Sequence, residues 1–234
     1  MNRNKTFITY LIFMLIIPLG LCLSVIFLKE KHYLVVSVLV ALLSIIPIFY
    51  SFERKENTSK ELTALAVLVA ISAFARVIFY WLPAFKPITA LTIIVAIYFG
   101  KEAGFLLGSI SALVSNMYFG QGPWTAFQMF SWGLIGFIAG LLYKPLKNSK
   151  IFLCIFGAFS GVLYSALMDV FTLFFSSNQV TFSKYLALLI AAAPTTITYM
   201  VSNIGFLLFL TKPIGKKLER LTVKYGLFQI VKNK

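Results

Sequence analysis

Seven stretches of roughly 16 to 26 residues, at 7–28, 33–52, 62–82, 104–119, 125–143, 151–175 and 185–210, are apolar almost throughout. As helices, runs of about this length cross the roughly 30 Å hydrocarbon core of a bilayer and satisfy their own backbone groups while doing so. An eighth run, 89–99, is short and lies between Pro87 and Lys101. Counted as spanning, it brings the chain to eight helices. The expected class is all-α, a polytopic membrane protein. Charge agrees: 12% of the 234 residues are charged, against about 25% in a soluble domain.

The formal charge is +14, which in a soluble protein would suggest nucleic acid. Here the Lys and Arg residues fall in the gaps between apolar runs, so they report topology and no nucleic-acid partner is expected. One side carries 16 of them, from Arg3 and Lys5 to Lys232 and Lys234; the other carries Lys29, Lys31, Lys86 and Lys184. The positive-inside rule then puts both termini in the cytoplasm. The first run lacks an A-x-A site and is long for a signal peptide, so it reads as an uncleaved helix. Cys22 and Cys154 both sit in apolar runs without metal-ligand spacing, so neither a disulfide framework nor a metal site is expected.

The polar stretch SFERKENTSK, 51–60, is the clearest break in composition. It divides an appended helix pair, 1–60, from a six-helix unit, 61–212. A basic tail, 213–234, follows, with Leu218, Leu221, Tyr225 and Phe228 at helical spacing. Such a segment is expected to lie on anionic lipid, each basic residue contributing about 1 kcal/mol.

Within this apolar framework Arg76 and Asp169 stand out, because a charge near a helix centre costs roughly 2.5 to 3.5 kcal/mol on insertion scales. Each lies six residues from the outer end of its run, about 9 Å deep, so they can meet as an ion pair or share a pocket. At similar depth or just outside it lie Tyr80, Trp81, Asn116, Tyr118, Gln121, Trp124 and Gln128. Aromatic faces with a few amides suit a flat or amphipathic ligand. Small residues repeat at three and four on several runs: Ala66, Ala70 and Ala73; Gly104, Gly108, Ser111 and Ser115; Gly133, Gly136 and Gly140; Ala158, Gly161, Ser165, Asp169, Thr172 and Ser176; Thr195, Thr198, Ser202 and Gly205. In lipid such stripes mark packing faces, within the chain or against a partner. Paired carboxylates, a nucleophile with its base and a phosphate-binding loop are all missing from the sequence, so no catalytic residue, enzyme activity or cofactor is expected.

Residues 61–212, with the alanine face at Ala66 and Ala70 and the segment from Asn116 through GQGPWTAFQMFSWGLIGFIAGLL, resemble the substrate-binding S components of energy-coupling factor (ECF) vitamin transporters. The resemblance implies six core helices and a vitamin bound toward the outside. It also implies that the alanine face, Ala66, Ala70 and Ala73, docks on a transmembrane coupling subunit joined to two ATPase subunits. The motif set is closest to S components thought to take up cobalamin; riboflavin or another vitamin is the alternative. From the residues alone, a stand-alone transporter with Asp169 as proton carrier and a non-transporting scaffold also stay open.

Overall fold

The structure is a computed structural model and describes residues 59–176 and 180–228. The runs at 7–28 and 33–52, and Cys22, lie outside the described residues. Eight helices follow one another: α1 (Ser59–Ile78), α2 (Ile88–Phe99), α3 (Lys101–Phe119), α4 (Trp124–Leu141), α5 (Tyr143–Asn148), α6 (Lys150–Ser176), α7 (Phe182–Ala191) and α8 (Ala193–Tyr225). The described chain is all-α, and α1, α4, α6 and α8 are long and apolar enough to cross a membrane.

The short run became the centre of the bundle. α2 has 12 residues, about 18 Å at 1.5 Å per residue, well short of the hydrocarbon core. Every one of them except Tyr98 is buried, among α1, α3, α4 and α8, so its ends meet protein before lipid. Gly100, at φ 97°, turns the chain directly from α2 into α3, a conformation that a residue with a Cβ adopts only under strain.

The most extensive interface joins α3 to α4, and the two glycine stripes read from the sequence face each other there. A Cβ built on Gly108 would come within 2.5 Å of the Trp132 carbonyl oxygen, and one on Gly136 within 2.3 Å of that of Gly104. Without a hydrophobic driving force in lipid, this close backbone approach is what holds the helices together. α6 packs on α8 in a similar way, with Gly161 against Met200 and Asn203 Nδ2 donating to the Gly157 carbonyl at 3.1 Å.

The expectations at the C-terminal end need correction. The run at 185–210 is two helices, because Pro194 has no N–H to give and its ring clashes with the preceding turn, so it fits the start of α8 but not a helix interior. Thr196, Asn203 and Leu207 face α6, whereas Thr195 is exposed and a Cβ on Gly205 would meet nothing within 4 Å. Of the stripe Thr195, Thr198, Ser202 and Gly205, Ser202 alone is buried, donating to the Lys86 carbonyl at 3.2 Å. Nor does the core helix stop at 212: α8 runs on through Pro213 to Tyr225. Of the residues expected on lipid, Leu218 is 2% exposed and Phe228 is buried, stacked on Phe99 at 4.3 Å between ring centroids. The Phe228 amide donates to Glu61 Oε1 at 2.6 Å, tying the end of the described chain back to α1.

Candidate ligand-binding site

At the end of the bundle remote from Lys101, Lys144 and Lys147, a cavity of about 350 Å³ opens between α1, α2, α3, α4, α6 and α8. Arg76 is its central residue. It is 9% exposed, and its Nη1 donates to Ser115 Oγ at 2.5 Å and to Asn116 Oδ1 at 2.8 Å. Its guanidinium carbon lies 4.5 Å from the Phe119 ring centroid and 5.0 Å from that of Trp132. Trp132 in turn stacks on Tyr164 at 4.8 Å, and Tyr164 meets Tyr199 edge-on at 5.1 Å. The result is a column in which one cation sits between two aromatic faces and the stack continues to the far wall. Desolvated cation–π contacts of this kind contribute about 2 kcal/mol.

Behind the column a polar relay fixes the guanidinium. Asn116, 1% exposed, accepts from Arg76 and donates through Nδ2 to Thr125 Oγ1 at 3.0 Å and to Gln128 Oε1 at 2.8 Å. Thr125 donates to Gln121 Oε1 at 3.0 Å, and Gln121 Nε2 donates to the Leu113 carbonyl at 2.8 Å. Trp132 Nε1 is anchored by Thr89 Oγ1 at 3.1 Å. Every partner of Arg76 in this relay is neutral.

The expected Arg76–Asp169 ion pair is absent. Arg76 is carried by α1, which packs on α2 and α3, and Asp169 by α6, which packs on α8 and α4. Asp169 Oδ2 is buried without a hydrogen-bond partner, and Asp169 does not line the cavity. The cavity has a second cation instead, Lys86, whose Nζ donates to the Phe79 carbonyl and lies 5.9 Å from the Phe119 centroid. Lys86 sits in the loop before α2, where Ala84 takes a left-handed φ of 59° and Pro87 starts the helix. Burial lowers the pKa of its ammonium, and the nearby charge of Arg76 lowers it further.

Of the residues named from sequence, Arg76, Tyr80 and Gln128 line the cavity, and Asn116 and Gln121 support it from behind. Tyr118, 62% exposed, meets Tyr80 edge-on at 6.4 Å at the rim, and Trp81 is 68% exposed. Trp124 covers Gly122 outside the cavity. The sequence reading missed Lys86, Thr89, Phe119, Trp132, Tyr164 and Tyr199 as lining residues. Lys86 had a readable signal, as one of only four basic residues expected on the sparse side and set between Pro83 and Pro87.

A larger cleft of about 780 Å³ runs between α1 and α8 at the opposite end. Its walls are the apolar faces of those helices, with Lys60 and Lys217 at its edge and few groups to orient a polar ligand. The chemistry converges in the smaller cavity. On the outer face of α1, Ala66 and Ala70 are exposed beside Thr63 and Val67, whereas Ala73 is 6% exposed and packs inward.

The family model described as "ECF-type riboflavin transporter, S component" matches residues 56–220. A UPF0397 protein of Vibrio atlanticus (strain LGP32) is 26% identical over 179 residues, covering 68% of this chain and 93% of the relative. UPF0397 proteins of two Aliivibrio fischeri strains, MJ11 and ATCC 700601 / ES114, are each 26% identical over 184 residues, covering 70% of this chain and 95% of the relative. No solved structure matches. With the match running from before α1 almost to the end of α8, this chain belongs to the ECF-type riboflavin transporter S component family.

Proposed function

We propose that this chain captures a flat heteroaromatic vitamin in the Arg76 cavity, from outside the cell, and delivers it to an ECF coupling subunit driven by two ATPase subunits. The observation that carries the reading is the column Phe119, Arg76, Trp132, Tyr164, Tyr199, which offers ring faces and a fixed cation in one cavity. A volume of about 350 Å³ lies at the small end of ligand pockets, roughly 300 to 1,000 Å³, which favours a flavin-sized ring system. The basic residues Lys101, Lys144, Lys147 and Lys150 cluster at the other end of the bundle, which supports an outward-facing cavity and a cytoplasmic C-terminus. Cobalamin is the second reading, favoured by Tyr80, Trp81 and Tyr118, whose exposed rings would extend a platform beyond the cavity for a larger ligand. Proton-coupled transport without ATPases is less well supported, because Asp169 does not line the cavity.

Thermal unfolding of the detergent-solubilised protein tests capture. A ligand at 100 times its dissociation constant stabilises by about 2.7 kcal/mol, so a flavin should raise the midpoint clearly. A shift with cobalamin alone would select the second reading, and no shift with either would remove the flavin and corrinoid readings together.

Docking is tested separately. Replacing Ala66 and Ala70 together by tryptophan is expected to leave vitamin binding unchanged and to lower uptake in cells carrying the coupling module by roughly tenfold or more, the scale of an interface hot spot. Undiminished uptake would place the coupling contact elsewhere.

A further inference from the structure

Two cations and no carboxylate line the Arg76 cavity among the described residues. Arg76 spends Nη1 on two neutral oxygens, and no described residue accepts from its Nη2 or Nε. Lys86 has a single backbone carbonyl as its acceptor. Both cations lean on one ring, Phe119, at 4.5 and 5.9 Å. A fold that brings two like charges together over one aromatic face, one of them buried and the other half-buried, leaves a deficit of negative charge in the cavity. An internal acid would remove that deficit, yet the nearest candidate from sequence, Asp169, neither lines the cavity nor pairs with Arg76.

We propose that the space between Arg76 and Lys86 is an oxyanion subsite, so that the captured ligand is an anion, a ring system bearing a phosphate or carboxylate group. This rests on the vitamin-capture reading and narrows it: a neutral ring alone would occupy the aromatic column and leave both cations unmatched. Arg76 presents a planar fork suited to two oxygens of one anionic group, and Lys86 adds a point charge from the loop. Ser115 and Asn116 hold the fork from behind, so little ordering is left for the moment of binding.

The test compares riboflavin, which is neutral, with flavin mononucleotide, which adds a phosphate to the same ring, and with folate, which presents carboxylates on a different ring. Inorganic phosphate is the probe without a ring. The full chain is used in detergent, with binding read by flavin fluorescence and by thermal midpoint. An anionic ring compound is expected to bind roughly tenfold or more tighter than riboflavin, the scale of one charge-assisted contact. That advantage should shrink as salt is raised. Flavin mononucleotide and folate separate the phosphate and carboxylate sources.

Lys86→Gln, in a loop, is expected to weaken flavin mononucleotide far more than riboflavin and so bring the two close in affinity. Asn116→Asp places a carboxylate against Arg76 and should erase the preference as well. Riboflavin binding as tightly as the anions, with Lys86→Gln without effect, overturns the subsite and leaves vitamin capture standing. Phosphate stabilising the wild type but not Lys86→Gln, with no ring compound bound, keeps the subsite and overturns vitamin capture. No stabilisation by any probe overturns both.

Discussion

Gly136→Val is expected to yield little folded protein, whereas Gly205→Val should behave as wild type. At Gly136 the first added carbon would lie 2.3 Å from the Gly104 carbonyl oxygen and 2.5 Å from its carbon. Those are backbone atoms, so no rotamer change can make room. The same interface is equally tight at Gly108 and at Gly140, where a Cβ would meet Lys101 Cα at 2.2 Å. α3 and α4 would have to separate along their length. Overpacking typically costs about 1–3 kcal/mol, and a clash between two backbones belongs at or above the top of that range. Whole domains are stable by about 5–15 kcal/mol, so the loss is a large share. A Cβ on Gly205 would meet nothing within 4 Å, which makes it the matched control. The measurement is the monodisperse fraction in size-exclusion chromatography after detergent extraction, with the thermal midpoint of whatever survives. Similar behaviour of the two variants would contradict the close α3–α4 contact. Any Gly136→Val protein that does fold should also bind ligand poorly, because Asn116 on α3 and Gln128 on α4 bond across the same interface.

Arg76→Met is expected to do the opposite, abolishing ligand binding while leaving the empty protein about as stable as before. Removing the guanidinium strands Asn116 Oδ1 in a buried position, which costs about 1–3 kcal/mol. It also removes a buried cation that has no counter-ion among the described residues, and the desolvation of such an ion is worth several kcal/mol. The two terms oppose each other and are of similar size. Ser115 keeps its bond to the Ala112 carbonyl at 3.2 Å, so the relay loses one acceptor pairing and does not collapse. The check is a pair of melting curves: the empty variant should unfold close to wild type, and the ligand-induced shift should vanish. A variant that unfolds much earlier when empty would make Arg76 a structural keystone, and a retained shift would take it out of the site.

The spans were legible because lipid demands apolar runs of nearly fixed length, and α1, α3, α4 and α6 begin and end within a few residues of the runs at 62–82, 104–119, 125–143 and 151–175. The glycine stripes were legible for the same reason, since little else brings helices together in hydrocarbon. Position along a helix axis could also be read, at 1.5 Å per residue. Azimuth could not. Arg76 and Asp169 each lie six residues from the end of an apolar run, yet which side each helix turns toward which neighbour depends on the whole bundle. The aromatic half of the site was hidden by abundance: among 24 Phe and 11 Tyr, nothing in the spacing singles out Phe119, Tyr164 or Tyr199. Lys86 was hidden by category, since a lysine between two spans reads as topology before it reads as chemistry. The break before α8 was available in Pro194, and the run-on through Pro213 was not, because a proline interior to a membrane helix is tolerated where neighbours satisfy the freed carbonyl.

α8 has 33 residues, so it is a rod about 50 Å long at 1.5 Å per residue, some 20 Å more than the hydrocarbon core needs. Tyr199 near one end forms part of the cavity wall, and Glu219 near the other holds Lys147 at 2.9 Å. A tilt of about 10° pivoting at Tyr199 would swing the tip at Tyr225, about 39 Å away, by roughly 7 Å. By lever geometry alone, a small adjustment around a ligand would be enlarged at the opposite end of the bundle, where the Lys147–Glu219 pair sits.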